Sequence, residues 1–505
     1  MTQLKTNVIA NFGSSLFIGL MNLVFVPLYI RLMGIESYGL VGIFSTLLSI
    51  FALLDMGLGA TLNREMARGA ARANKATHLR DLLRTLEIPY WTVALLIGAG
   101  VVVLSPLLAY HWFNPKSLSP LIVQRAIVYM GIAIAFQWPF SFYAGGLGGQ
   151  QKQVLLGVLN TSMAALRGLG AVAILWFVSP TIEAFFKWQI FISGIQTGLA
   201  AYFLWSSLPA KGHRPRFRKK LLSDIWRFAA GVTGITLLST ILSQMDKIIL
   251  SRMLSLENFG FYNLASTVAM ILYRLVGPIF SATFPSFTRA FELRQQGVLA
   301  NLYHKSAQLV SVLILPTALV ISFFSGDILL LWTKDPVMVE RAHVLVSILV
   351  IGTALNGLMN IPYALQLAAG WTRLNFTVNL FSVLILVPLI VLLTKMYGAA
   401  GAASVGVILN AGYVLIIIPI MHRRLLKKEM GAWYLQDVFG PLAVSLLVVG
   451  CASFVVPLEQ FNIWGRMAGL GLIWGSATLA AILSTSFIRN ICFRYLVNMR
   501  GTFNG

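Results

Sequence analysis

Apolar stretches long enough to cross a bilayer alternate with short polar breaks along almost the whole chain. About 20 such residues span the hydrocarbon core as a helix. The pattern therefore predicts fourteen spans, at 7–33, 36–61, 88–111, 121–146, 152–178, 183–208, 228–254, 258–284, 306–333, 338–368, 374–396, 399–422, 438–457 and 464–488. The turn joining the first two, Arg31-Leu32-Met33-Gly34-Ile35-Glu36-Ser37-Tyr38-Gly39, returns 221 positions later as Arg252-Met253-Leu254-Ser255-Leu256-Glu257-Asn258-Phe259-Gly260. Arg, Glu, an aromatic ring and Gly fall in register, so a helical hairpin is duplicated. The expected architecture is all-α: a polytopic membrane protein of two six-helix lobes in parallel repeat around a central cavity, plus two C-terminal helices. Its parts are an N-lobe (1–208), a basic linker (209–227), a C-lobe (228–422), spans 13 and 14 (438–488) and a tail (489–505).

Composition sharpens this reading. Of 505 residues, 58% are hydrophobic and 11% charged, against roughly 25% charged in soluble domains, which excludes a water-soluble globule. The net charge of +22 would suggest nucleic acid in a soluble protein. Here 26 of the 38 Lys and Arg residues fall on the side that carries both termini and nine on the other. That bias puts both termini in the cytoplasm and explains the charge without nucleic acid. The first apolar segment has no Ala-x-Ala cleavage pattern and is expected to be retained. Residues 64–86, with Leu79, Leu82, Leu83 and Leu86 among six basic residues, read as an interfacial amphipathic helix. Cys451 and Cys492 offer neither a disulfide framework nor a metal cluster.

Five ionisable groups lie well inside spans: Asp55, Arg167, Asp246, Lys247 and Arg274. Such groups cost at least ~2.5 kcal/mol each by insertion scales and ordinarily face a cavity or a partner. Lys247 belongs to a polar stripe, Thr233, Thr236, Thr240, Ser243, Lys247 and Ser251, at helical spacing. Asp246 sits about 100° round that helix. Asn160 and Arg167 are two turns apart on span five, and Asn11, Ser15, Asn22 and Tyr29 share a face of span one. Arg167, Lys247 and Arg274 are candidate walls of a cationic cavity, which selects for a phosphate-bearing anion; buried structural ion pairs are the alternative. Trp138, Tyr143, Tyr262 and Tyr273 are candidates to stack on sugar rings. Asp55 is a candidate to bind H⁺ or Na⁺, or to offset Arg64 or Arg68. Gly145-Gly146-Leu147-Gly148-Gly149 reads as the flexible end of span four. No ATP-binding phosphate loop and no metal-ligand spacing is present, and no cofactor is implied.

Taken together, Asn11-Phe12-Gly13, the turn at 31–39, Asp55-Met56-Gly57-Leu58-Gly59 and Gln244-Met245-Asp246-Lys247 resemble the Wzx-type polysaccharide flippases of the multidrug/oligosaccharidyl-lipid/polysaccharide exporter superfamily. The resemblance covers nearly the whole chain. It implies a transporter rather than an enzyme, moving undecaprenyl-diphosphate-linked oligosaccharide for O-antigen or related polymers from the inner to the outer leaflet of the bacterial cytoplasmic membrane. It further implies alternating access, coupling to H⁺ or Na⁺, and membrane lipids and polysaccharide polymerase or assembly proteins as partners. Arg167, Lys247 and Arg274 are the positions that would receive the diphosphate. A cation-coupled drug exporter of the same superfamily is the first alternative, and a membrane polymerase or glycosyltransferase the second.

Overall fold

The computed structural model describes residues 2–55, 57–70, 76–208, 214–219 and 242–486 and the single positions 221, 240 and 489; the side chains of residues 2–12, 14–16, 69, 70 and 76 fall outside the description. The start of span seven, with Thr233 and Thr236, lies outside the described residues, as do Cys492 and the side chains of Asn11 and Ser15. The chain forms two compact units, Met1–Gly260 and Phe261–Gly505. Ten helical segments of the described residues are long and apolar enough to cross a membrane. Two of these, Phe17–Asp55 and Thr372–Leu425, each hold a pair of predicted spans.

In the first unit, α1 (Thr2–Phe51) contains the first predicted turn as a bend at Gly34, where φ is 82°. An L side chain is strained there, and glycine is not. The second predicted span, 36–61, overran its end: the helix stops at Phe51, Ala52–Asp55 make one 3₁₀ turn, and α2 (Leu58–Ala70) starts a new direction. The long α3 (Ala76–Leu107) follows, then α4 (Pro120–Gln137), α5 (Phe140–Gly149), α6 (Gln153–Phe177) and α7 (Ile182–Ser207). Trp138 and Pro139 break the predicted span 121–146 into α4 and α5. Helical residues 242–253 follow, and the unit ends at Gly260.

Two expectations fail here. Residues 64–86 are not one interfacial helix: α2 ends at Ala70, and Leu79, Leu82, Leu83 and Leu86 open α3, all less than 5% exposed. Their leucine face serves the protein core rather than the lipid surface, because α3 continues into the membrane and takes that face with it. The Gly145–Gly149 run is likewise no flexible end. It is helical, and it lets α2 and α5 meet backbone to backbone: a Cβ at Gly145 would lie 2.5 Å from the Gly59 carbonyl oxygen, and one at Gly149 would lie 2.2 Å from that of Asn63. This is small-residue packing, the usual means of close approach where lipid provides no hydrophobic drive. Arg216 and Arg218 of the basic linker dock on α3, the Arg216 amide and the Arg218 guanidinium both on buried Asp81 (2.9 and 2.5 Å).

The second unit is reached through α8 (Leu256–Ala269), within which the boundary falls, and comprises α9 (Ile271–Glu292), α10 (Gln296–Phe323), α11 (Ser325–Thr333), α12 (Pro336–Ala368), α13 (Thr372–Gly412), α14 (Ile418–Leu425), α15 (Gly440–Val455) and α16 (Ile463–Ser484). Asp335 caps α12 through the Val337 amide (2.9 Å), with Pro336 at its first turn. Its central member is α10, packed by α9, α12, α15 and α16. The last two predicted spans are fastened to it by a cluster of Val320, Phe324, Val449, Leu458, Ile473 and Ala477. Large apolar side chains exposed on the outer faces, such as Phe381, Leu384 and Ile385 of α13, are what a lipid-facing surface requires.

Close packing of α2 on α5 predicts that Gly145→Val lowers the thermal midpoint of the detergent-purified protein sharply, by an overpacking cost of about 1–3 kcal/mol or more. Gly100→Ala, where a Cβ meets nothing within 4 Å, should leave the midpoint unchanged or raise it in the same fluorescence melt.

Candidate functional site

Arg167 lies on α6, which packs between α1 and α7. Its neighbours Gly168 and Gly170 admit the rings of Phe25 and Trp188, and the Trp188 indole donates to the Arg167 carbonyl at 3.2 Å. The guanidinium is thereby aimed at α7. Its Nη1 donates to Gln189 Oε1 (2.6 Å), Gln137 Oε1 (3.3 Å) and Ser193 Oγ (3.3 Å), and its Nη2 to Gln196 Oε1 (2.9 Å). All four acceptors are neutral. Among the described residues no carboxylate lies within salt-bridge distance of Arg167, so its hydrogen bonds are met while its charge is not cancelled. Gln189, Ser193 and Gln196 recur at spacings of four and three along α7, a polar stripe of uncharged side chains whose signal in the sequence is its helical spacing alone.

Asp55 closes a second cluster. Its Oδ1 accepts from the Tyr90 hydroxyl (2.5 Å) and the Gly59 amide (3.2 Å), and the Tyr90 oxygen is 2.8 Å from Ser141 Oγ. Arg64 and Arg68 instead converge on Glu65, at 3.0 and 3.3 Å. Both of Asp55's described partners are donors, so its oxygens act as hydrogen-bond acceptors.

Third, the two copies of the repeated turn meet. A Cβ at Gly39 would lie 2.6 Å from the Leu256 carbonyl oxygen, and one at Gly260 would lie 2.4 Å from that of Ile35. Each glycine thus receives the carbonyl that precedes the other copy's glutamate, the reciprocal pattern of a two-fold contact. Tyr38 and Phe259 are buried beside them, at 3% and 1% exposure. Both copies then grip the α3–α4 loop. The buried Glu36 carboxylate accepts from the amides of Lys116 (2.5 Å), Ser117 (2.8 Å) and Leu118 (3.1 Å) and from the Ser117 hydroxyl. Glu257 takes the Lys116 ammonium at 3.1 Å, and Arg252 donates to the Trp112 carbonyl at 3.2 Å. Arg31 is exposed.

Of the remaining candidates, Asp246 and Lys247 are half-buried on the 242–253 helix and Arg274 is exposed on α9 in the second unit. Trp138, Tyr143 and Tyr262 are not sugar platforms. Trp138 stacks on Tyr90 with ring centres 4.0 Å apart, Tyr143 donates to Glu87 at 2.6 Å, and all three are no more than 5% exposed. Tyr273 alone of the four stays exposed.

The fold is that of the flippase and exporter class. It superposes on a lipid II flippase, MurJ, in an inward closed conformation with a TM-score of 0.65 and 14% identity, covering 97% of this chain and 99% of that one. On the MATE multidrug transporter DinF-BH the TM-score is 0.60 at 15% identity, over 84% of this chain and 95% of that one. Residues 4–291 match the family described as polysaccharide biosynthesis protein, and residues 233–392 match MatE. The chain belongs to the polysaccharide biosynthesis protein family. Relatives include a Shigella flexneri protein described as an O-antigen transporter, 22% identical over 75% of this chain and 89% of that one. Another is the lipopolysaccharide biosynthesis protein WzxC of Escherichia coli strain K12, 26% identical over 82% and 81%.

The contrast between the two glutamates of the repeat gives a prediction. Glu36→Ala leaves three amides without their acceptor and should destabilise the purified protein by about 2 kcal/mol or more. Lys116→Ala removes only a solvent-exposed ion pair and should cost less than about 1 kcal/mol. Thermal midpoints of the two variants, measured side by side, check the ranking.

Proposed function

We propose that this protein is a flippase that carries an undecaprenyl-diphosphate-linked oligosaccharide from the inner to the outer leaflet of the bacterial cytoplasmic membrane, both termini lying in the cytoplasm. The observation that carries the reading is the charge of Arg167, held by three glutamines and a serine with no carboxylate beside it among the described residues. A half-buried cation so placed favours an anionic guest, and a guanidinium fork suits diphosphate oxygens. A cationic drug would be repelled by it. The family membership and the relatives from Shigella and Escherichia support a lipid-linked polysaccharide as cargo. The distribution of Lys and Arg supports the orientation.

Transport proceeds by alternating access: the charged head group enters from the cytoplasmic side while the polyprenyl tail stays in lipid, and rearrangement of the helices releases the sugar outside. Lys247 and Arg274 are further contacts for the phosphate groups or acidic sugars. Asp55, with the Tyr90 and Ser141 hydroxyls beside it, is the position at which H⁺ or Na⁺ couples transport.

Leaflet accessibility of a labelled undecaprenyl-diphosphate oligosaccharide in proteoliposomes tests the reading. Wild type should move it; Arg167→Gln should slow movement at least about tenfold, the equivalent of 1.4 kcal/mol, and Arg167→Lys should lie between, keeping the charge but losing the fork. The Lys247→Ala, Arg274→Ala double variant should reach the membrane and fail to support surface polymer. No movement by wild type, with drug efflux in its place, would assign the chain to drug export.

A further inference from the structure

Away from Arg167 and Asp55, the second unit contains a polar cluster where α10 meets the lead-in to α15. His304 of α10 is 8% exposed and sits between two carboxylates: Nδ1 is 2.5 Å from Asp437 Oδ2, and Nε2 is 3.0 Å from Glu429 Oε2. Gln308, one turn on, donates to the other Asp437 oxygen at 2.9 Å. Asp437 is 1% exposed, whereas the Glu429 side chain is 35% exposed. Around them lie Tyr303, His422 and Trp433, all at most 1% exposed, with the Tyr303 hydroxyl and His422 Nε2 buried and without a hydrogen-bond partner among the described residues.

Counting protons decides what this cluster does. A neutral imidazole has one N–H and one lone pair, whereas an ionised carboxylate only accepts. With carboxylate oxygens on both ring nitrogens, a neutral ring and two ionised carboxylates would oppose a lone pair to a lone pair on one side. Both contacts are hydrogen bonds only when the trio holds one additional proton, on the ring or on a carboxyl. A metal ion is a poor substitute, because the two carboxylates lie on opposite edges of the ring and do not converge. Among the described residues no group of three His, Cys, Asp or Glu has the geometry to hold one.

We propose that His304, Asp437 and Glu429 form a proton-binding site, and that its single exchangeable proton fastens the 426–432 turn, and with it the start of the last two spans, to α10. Loss of the proton releases Glu429 rather than Asp437, since Glu429 has solvent to turn to and Asp437 is buried and also held by Gln308. The released turn is primed to move: Lys428 holds a φ of 77° without being glycine. The titratable groups facing His304 are Asp437, Glu429 and the buried His422 and Tyr303, with Tyr434 beyond Tyr303. Of these, only the first two touch its ring nitrogens. The site is independent of which cargo is carried.

Lys427 and Lys428 are exposed in this turn, so trypsin reads its release directly. The experiment uses the full chain purified in nanodiscs, where both membrane faces are accessible, at pH 6 and pH 8, with rates normalised to a reference peptide cut at the same two pH values. When opening is fast, cleavage follows the open population. One proton can change that population by at most about tenfold per pH unit. Wild type should be cut within 427–428 at least about fivefold faster at pH 8. Glu429→Gln, whose amide can donate to a neutral ring, should be cut slowly and equally at both. His304→Gln should also lose the pH dependence if it folds; Glu429→Gln suffices if it does not. A wild-type rate independent of pH, or an undiminished rise in Glu429→Gln, would overturn the proposal. Neither result bears on flipping, so the two readings fail separately.

Discussion

The first unit is organised by a reciprocal backbone contact. Where the two copies of the repeated turn cross, the chains are close enough that a Cβ at either glycine would strike the other copy's carbonyl. No side chain larger than hydrogen fits, and steric exclusion of this kind does not relax by repacking as a side-chain clash can. With the glycines in place, the glutamates that follow those carbonyls both reach the α3–α4 loop, Glu36 to its amides and Glu257 to the Lys116 ammonium. The motif's spacing is therefore geometric: carbonyl, glutamate, buried aromatic ring and glycine must all be met within one helical turn.

The charges of this unit divide by what answers them. Asp81 is met by Arg218, Glu87 by Arg84, and Glu65 by Arg64 and Arg68. Arg167 is answered by amide and hydroxyl oxygens. Such a cage holds the guanidinium in place and leaves its field available, because a buried charge interacts across a low dielectric with far less screening than one in water. Pairing with a carboxylate would have made a structural ion pair and cancelled that field. Asp55 is answered in the complementary way, by a tyrosine hydroxyl and a backbone amide that donate to it.

In the second unit the comparable investment lies in α10, which carries both the apolar cluster holding α15 and α16 and, nearer its N-terminus, the His304 site at their lead-in. Apolar packing gives attachment without regard to conditions, and the imidazole–carboxylate contacts make one end of that attachment depend on a proton. The last two long helices, α15 and α16, are in this way joined to α10 by two different kinds of contact.

The sequence by itself determined the class of fold. Length and polarity locate membrane helices because lipid cannot hydrogen-bond a backbone, so every span must satisfy its own. The repeated turn and the presence of a cation at Arg167 within a span were equally legible, since both are rare patterns against an apolar background. What surrounds each charge was not legible. Gln137, Tyr90 and Ser141 are unremarkable in sequence and gain meaning only when α4, α3 and α5 bring them to a charge. The 64–86 segment misled for the same reason: a leucine stripe records that a face is buried, and tertiary packing alone decides whether lipid or protein buries it. His304 and Asp437, 133 positions apart, show the limit most clearly. Each is an ordinary polar residue near a helix end, and only the folded chain sets the distance between them, on which their shared proton depends.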